Sequence, residues 1–442
     1  MINHFWEHAR RNAFWMIDGL KGGKIKQAYK EVKFINEQAN SEEAKEINRQ
    51  NLTNLLNHAV STTPFYNAFE DFHHLGDFPV INKVHLKTET SQFLSSKYKG
   101  ENLYRQTTSG STGTPLTVFQ DKVKRIRHIA ENIYFSDIIG YNLGSRLYYL
   151  RVWNELNRKS PLKSWMQNMV MQNAANISDN SWEKFLYKIK KDNSNKSILG
   201  YGLTLEALGR YLSKNNIILK QGKVNSVISI AETLPNHTKE LLKTAFQCPV
   251  ISRYSNMENG FLAQQNTGEC NEFHLNLASY YFELLHPEKD KPVKPGETGR
   301  IVVTDLFNFA MPLIRYDTGD MAIMAEKPAC GATGLVFSKI LGKRCDCVFD
   351  TSGNLLSTGV VINTMWIYSD EINQFQFIQN GQNQYLLKLN CSNTPFTREK
   401  KLLSNLKFYL GKDAKITIEY VDEIPVLSSG KRKQMVNNYK PA

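Results

Sequence analysis

Cysteine is scarce in this chain: six residues in 442, at positions 248, 270, 330, 345, 347 and 391, all in the second half. So thin and lopsided a supply excludes a disulfide scaffold as the source of the fold. No stretch approaches the roughly 18 to 20 uninterrupted apolar residues of a membrane-spanning helix. The start, Met1-Ile2-Asn3-His4-Phe5-Trp6-Glu7-His8, lacks the basic, apolar and cleavable segments of a secretion signal. The expected location is the cytoplasm. Internal repeats and low-complexity tracts are missing too. Basic charge is abundant, at 55 Lys and Arg against 42 Asp and Glu for a net +13, yet no long run concentrates it. Only modest clusters stand out, at Lys21 to Lys33, Lys184 to Lys191 and Lys431 to Lys433. With no nucleic-acid motif beside it, that charge fits a surface serving anionic small molecules, and no nucleic-acid partner is expected.

What is present is a globular composition, 41% hydrophobic and 22% charged. The length suits two domains, or one large domain and a small one. From Glu42 to Val60 apolar residues fall on helical spacing until Thr63-Pro64 ends the run. Phe78-Pro79-Val80-Ile81 opens another element, and Val118 to Ile139 reads as strand and then helix. The runs Asn225 to Ile230 and Pro249 to Tyr254 are β-branched and flank a helical stretch from Thr238 to Phe246. That β-α-β order implies a parallel sheet covered by helices, with ligands at the carboxyl ends of its strands. Tyr281 to Leu285, Gly299 to Thr304 and Met321 to Met324 read as antiparallel strands, with a turn at Pro292 to Glu297. A smaller unit follows, with strands near Gln374 to Phe377 and Ile416 to Tyr420 and a helix near Thr397 to Leu410. The expected fold is mixed α/β: a large domain over 1–341 with β-α-β sheets and an antiparallel subdomain, and a small, mobile α+β domain over 342–442.

The most informative stretch is Thr107-Thr108-Ser109-Gly110-Ser111-Thr112-Gly113-Thr114-Pro115. Glycines let a backbone approach an anion, and the hydroxyls add donors beside the backbone N–H groups of a phosphate nest. It is not a Walker A loop, because Gly110 and Gly113 are three apart and Thr114, not lysine, follows. Alone, such a cluster is an ordinary turn. Further on, Arg315-Tyr316-Asp317-Thr318-Gly319-Asp320 ends in a tight turn whose carboxylates suit a sugar diol. Ser429-Gly430-Lys431 closes the series near the C-terminus.

In this order the motifs resemble those of the adenylate-forming superfamily, in particular its phenylacetate-coenzyme A ligase-like branch, which includes adenylating proteins of capsule and other polysaccharide gene clusters. The loop at 107–115 resembles the family's phosphate loop, Ala231-Glu232 its adenine-contacting segment, and Tyr254-Ser255-Asn256-Met257-Glu258 its aromatic and acidic motif. Arg315 to Asp320 resembles the ribose motif, Gly342-Lys343-Arg344-Cys345-Asp346 the interdomain hinge, and Gly430-Lys431 the segment with the catalytic lysine. The resemblance implies a carboxylate that attacks the α-phosphate of ATP to give an acyl-adenylate and pyrophosphate. A thiol or an amine then takes the acyl group, from coenzyme A, an amino acid or an amino sugar. It also implies roles: Thr107 to Thr114 on the leaving phosphates, Glu258 on Mg²⁺, Tyr254 beside the adenine with Ser255 and Asn256, Asp320 on the ribose, and Lys431 between carboxylate and α-phosphate. Two positions depart from the pattern. The hinge has Lys343 where Gly-Arg is usual, with Arg344 one place later, and Ser255-Asn256 stands where a glycine is common.

Cys270-x-x-x-His274 has ligand-like spacing and is flanked by Cys248 and Cys330. Relatives on this branch imply a structural zinc here, with cysteines and a histidine as ligands. Against it stands the habit of cysteine to be buried as a small hydrophobe. In the first 30 residues Phe5, Trp6, Phe14 and Trp15 alternate with Arg10, Arg11, Lys21, Lys24 and Lys26. They form either an interfacial helix giving peripheral membrane contact or aromatics packed on the protein's own body. The rival functional reading is a nucleotide-binding regulator or assembly protein without catalysis; intact Lys431, Glu258 and Asp320 count against it.

Overall fold

The computed structural model describes residues 2–107, 116–151, 153, 158–174, 178–219, 223–231, 234–266, 270–329, 331–343, 348–353, 355–356, 361–362, 364–365, 367–368, 370–392, 395–425 and 433–439. They form two compact units. The first comprises Met1–Leu234, Thr238–Thr318 and Ala322–Ile340; the second Pro235–His237, Gly319–Met321 and Leu341–Ala442.

The first unit opens with helices α1 (Ile2–Leu20), α2 (Lys24–Glu37), α3 (Glu42–Thr62) and α4 (Lys83–Thr88). Ser41 caps α3 by accepting from the Ala44 N–H, and Glu42 and Glu43 occupy its positive first turn. Strands β1 (Tyr104–Thr107) and β2 (Thr117–Gln120) then pair antiparallel, with Thr107 opposite Thr117. Asp121 caps the next helix, α5 (Lys122–Asp137), through the Lys124 N–H.

After α5 the chain alternates strand and helix: β3 (Arg146–Arg151), α6 (Pro161–Met166), β4 (Met169–Asn173), α7 (Asp179–Lys191), β5 (Lys196–Tyr201), α8 (Gly202–Lys214), β6 (Val224–Ile230), α9 (Asn236–Phe246) and β7 (Val250–Asn256). All neighbouring pairs in the order β4-β3-β5-β6-β7 are parallel, as the β-branched runs and their intervening helix imply. Antiparallel strands continue the same sheet: β8 (Gly260–Gln265), β9 (Phe273–Leu275), β10 (Tyr280–Leu285), β11 (Thr298–Asp305), β12 (Tyr316–Met324) and β13 (Val336–Lys343). The full order is β10-β11-β12-β13-β9-β8-β7-β6-β5-β3-β4. Phe78 to Ile81 forms no strand of its own. Instead Ile81 bridges to Tyr316 at the edge of the motif on β12.

In the second unit β14 (Val348–Phe349) and β15 (Leu355–Leu356) make a short ribbon. A four-stranded sheet, ordered β18-β17-β16-β19, uses β16 (Ile372–Gly381), β17 (Gln384–Cys391), β18 (Lys415–Tyr420) and β19 (Met435–Asn437). Helix α10 (Glu399–Leu410) turns Leu402, Leu406 and Leu410 into a core with Phe377 and Leu387. The chain is therefore mixed α/β, as its sequence implies.

Candidate functional site

The aromatic-acidic motif lies where β7 leaves the sheet. Pairing with β8 slips between Tyr254, opposite Ala263, and Ser255, opposite Phe261. Such a bulge re-aims the side chains that follow it. The chain then turns tightly: Asn256 Oδ1 accepts from the Asn259 N–H at 2.7 Å, while its Nδ2 donates to Asn259 Oδ1 at 3.1 Å. Asn256 thus closes the turn where a glycine is common among the resembling sequences. Permissive backbone is needed two places after Glu258 instead. Gly260 has φ 107°, and a Cβ there would meet His128 Nδ1 at 2.8 Å.

The turn holds Glu258 buried, its Oε1 accepting from the Tyr316 hydroxyl at 3.2 Å. The Tyr254 hydroxyl donates to Thr318 Oγ1 at 3.3 Å, and that hydroxyl donates to the Ile301 carbonyl at 3.1 Å. Two motifs about sixty residues apart are tied together by side chains drawn from both.

Within the motif on β12 the residues divide their work. Arg315 has φ 50°, a conformation uncommon for a long side chain. Its guanidinium meets both Glu283 oxygens, with Nη2 at 2.9 Å from Oε1 and Nε at 3.1 Å from Oε2, while Nη1 donates to the Phe78 carbonyl at 2.8 Å. Asp317 accepts from Arg300 Nη1 at 2.9 Å. Arg315 and Asp317 are anchors, then, and Tyr316 and Thr318 are the links to β7 and its turn. In the second unit Gly319, at φ 76°, leads to Asp320, whose Oδ1 lies 3.1 Å from Lys343 Nζ. The lysine that departs from the usual hinge pattern therefore sits on the carboxylate of the ribose-like motif.

Ala231 follows β6 directly, exposed and at φ 73°. Left-handed backbone in a residue with a Cβ costs energy and concentrates at functional sites. Ser255 is exposed beside the bulge. Thr107 Oγ1 lies 3.2 Å from Thr117 Oγ1, so the β1–β2 ribbon grips both ends of the hydroxyl-rich loop. Thr108 to Pro115, Glu232, Arg344, Cys330 and Lys431 lie outside the described residues.

The zinc expectation meets a different arrangement. Cys248 is buried in an apolar cluster with Val227, Leu242 and Phe246, and burial pushes its thiol up to about 12. That is a core residue, not a thiolate ligand. Cys270 is disulfide-bonded. His274 Nε2 is buried without a hydrogen-bond partner, and burial lowers its pKa against the opposing charge of Glu272. Among the described residues no three His, Cys, Asp or Glu side chains are grouped to hold a metal. With Cys248 elsewhere and the Cys270 sulfur committed, they do not fit a zinc ion.

Sequence reasoning passed over Arg253, although it interrupts the β-branched run that marks β7. Desolvation lowers its pKa to about 10, opposed by Tyr141 and Tyr149; its guanidinium lies 4.5 Å from the Phe261 ring centre, and Nε donates to Gln264 Oε1 at 3.0 Å. A charge interrupting a β-branched run was the available signal. It lies beside the aromatic segment around Tyr149, whose carbonyl accepts from the Trp153 indole at 3.2 Å. A half-buried guanidinium over an aromatic ring suits a polar or anionic organic group.

Residues 348–438, the body of the second unit, match the family model described as the CapK C-terminal domain. The whole chain is 24% identical, over 469 aligned residues and 100% of both sequences, to protein CapK of Staphylococcus aureus. A stretch of 79 residues, 18% of either sequence, is 35% identical to phenylacetate-coenzyme A ligase of Thermus thermophilus. Among solved structures, 2-hydroxyisobutyryl-CoA ligase in the postadenylation state matches with a TM-score of 0.71 over 91% of both chains at 14% identity. The fold is that of the adenylate-forming ligases. The likeness to protein CapK runs the full length of the chain.

Proposed function

We propose that the protein is an ATP-dependent, AMP-forming carboxylate ligase. The observation that carries this reading is the pair of hydrogen bonds, Tyr316 to Glu258 and Tyr254 to Thr318, that joins the aromatic-acidic motif to the ribose-like motif. A substrate carboxylate oxygen attacks the α-phosphorus of ATP, the bond to the β-phosphate oxygen breaks, and pyrophosphate leaves. The barrier is largely electrostatic, since two anions must meet, so catalysis rests on aligned donors and cations.

In this reading Thr107 to Thr114 hold the β- and γ-phosphates, and Ala231-Glu232 and Tyr254 frame the adenine. Asp320, steadied by Lys343, accepts from the ribose hydroxyls. Lys431 bridges carboxylate and α-phosphate. Glu258, buried with one oxygen held by Tyr316, fits a hard oxygen ligand for Mg²⁺, which neutralises charge on the departing pyrophosphate. The acyl group then passes to the thiol of coenzyme A or to an amine, with loss of AMP. The likeness to protein CapK favours a place in capsular polysaccharide biosynthesis, where an amino sugar would be the amine.

Carboxylate-dependent exchange of labelled pyrophosphate into ATP, run over an acid library, tests the reading. Exchange with at least one acid is expected. Lys431→Ala should abolish it while leaving transfer from preformed acyl-adenylate largely intact, and equal loss of both steps would contradict the role of Lys431. Measurable ATP binding with no exchange for any acid would favour a non-catalytic nucleotide-binding protein.

A further inference from the structure

The first helix is amphipathic with its apolar side facing out. α1 turns its acids inward: Glu7 accepts from the Asn195 N–H and Nδ2 at 3.0 Å each, and Asp18 accepts from the Ile25 and Lys26 N–H groups at 3.1 and 2.9 Å, capping the start of α2. Trp15 sits on this inner side, edge to face with Tyr29 at 5.8 Å. At 100° per residue the opposite face gathers Phe5, Trp6, Ala13, Met16, Ile17 and Leu20. Leu20 is 82% exposed, Phe5 65% and Met16 63%. The aromatics of the N-terminal segment thus divide: Trp15 packs on the body, whereas Phe5 and Trp6 pack on nothing that buries them.

A second element extends the face. Leu162, Trp165 and Met166 of the short helix α6 are each more than half exposed. The Arg10 guanidinium, 5.6 Å from the Trp165 ring centre, joins α6 to α1. Lysines border the patch: Lys21, Lys24 and Lys26 are exposed just past the end of α1, and Lys163 is exposed on α6. Scattered apolar side chains on a surface are ordinary, but a continuous face of this size is not.

We propose that this face docks on an anionic lipid bilayer, with α1 lying in the plane of the interface. Aromatic and aliphatic side chains rimmed by lysine are the composition of an interfacial helix. The lysines decide between occupants. A second copy seated symmetrically would set its lysines against their own images, and the net charge of +13 adds to that repulsion, whereas acidic headgroups would neutralise both. The inward Glu7 and Asp18 keep the helix on the surface instead of across it, and no described helix is long and apolar enough to span.

The test is co-sedimentation of the full-length protein with vesicles of phosphatidylcholine alone and of phosphatidylcholine mixed with phosphatidylglycerol. Wild type should bind the mixed vesicles and bind the neutral ones far less. Phe5→Ser with Leu20→Ser should weaken binding about tenfold or more, with far-UV circular dichroism and ATP binding unchanged. Lys21→Glu with Lys24→Glu should remove the preference for the anionic lipid. No binding by wild type, or equal binding by the Phe5/Leu20 variant, would overturn the proposal. So would a vesicle-free dimer that Leu20→Glu dissociates in a protein that ignores vesicles, because the face would then belong to a second copy.

Discussion

In the parallel half of the large sheet, Leu150 on β3, Ile198 on β5 and Val227 on β6 are buried among hydrocarbon from α7, α8 and α9. In the antiparallel half the buried positions around β10, β11 and β12 carry ion pairs: Arg300 with Asp317 at 2.9 Å, Arg315 with Glu283 at 2.9 Å, and Lys124 of α5 with Asp305 at 2.7 Å. Apolar burial is strong but has no direction, whereas an ion pair specifies which two residues meet. The parallel half presents strand ends to the proposed site, and there, among the described residues, the strained Ala231 marks the place. The antiparallel half presents a run of six residues one by one, so its register has to hold. Charges supply that register at the cost of desolvation. Burial raises the pKa of Asp305, and Lys124 opposes the shift.

The sharpest way to break this contrast is Arg315→Leu. It strands Glu283 and should cost about 3–5 kcal/mol. Urea unfolding measures the loss, and adding Glu283→Leu should recover a good part of it; a loss under about 1 kcal/mol would mean that the pair does not hold β10 to β12 together. Next comes Asp320→Asn, which keeps the shape but removes charge from the proposed ribose contact. Loss of a charge-assisted hydrogen bond of about 1.5–3 kcal/mol predicts pyrophosphate exchange slower by about 10- to 100-fold at low ATP.

The parallel side has its own buried cation. Lys239 on α9 donates to Gln265 Oε1 at 2.7 Å and to Asn271 Oδ1 at 3.3 Å, both neutral amides, and desolvation lowers its pKa to about 8. An unfolded lysine titrates near about 10.4, so the unfolded state holds the extra proton between those values. Stability from this residue therefore rises with pH across that window, by at most about 1.4 kcal/mol per unit, and Lys239→Met should flatten the rise in the urea midpoint. An unchanged slope would refute the assignment. The smallest effect expected is from Ala231→Gly, which relieves left-handed strain but frees the unfolded chain, for a net gain below about 1 kcal/mol. A measured loss would show that the strain there is slight.

Much of this was readable residue by residue. The β-α-β unit at β6, α9 and β7, the helix from Glu42, the antiparallel β10 and β11, and β16, β18 and α10 of the second unit follow from hydrophobic period and from Gly and Pro placement, whereas β14, β15, β17 and β19 were not read. The motifs of the proposed site were legible too, as residue types in order. What escaped was whatever depends on a distant partner. The bulge at Tyr254 exists because β8 is its neighbour, Arg315 is an anchor because Glu283 faces it, and Cys248 is core because α9 delivers it there.

The helix α1 marks that boundary most plainly. Its sequence already sorts Phe5, Trp6, Met16 and Leu20 onto one side and Glu7 and Asp18 onto the other, because 3.6 residues per turn is a local property of the backbone. Which side faces the protein is not local. The Asn195 amide and the first turn of α2 were waiting for the two acids, so the acids went in and the apolar face stayed out. Local chemistry determined the faces; only tertiary packing, which weighs buried hydrogen bonds against exposed hydrocarbon, decided their orientation.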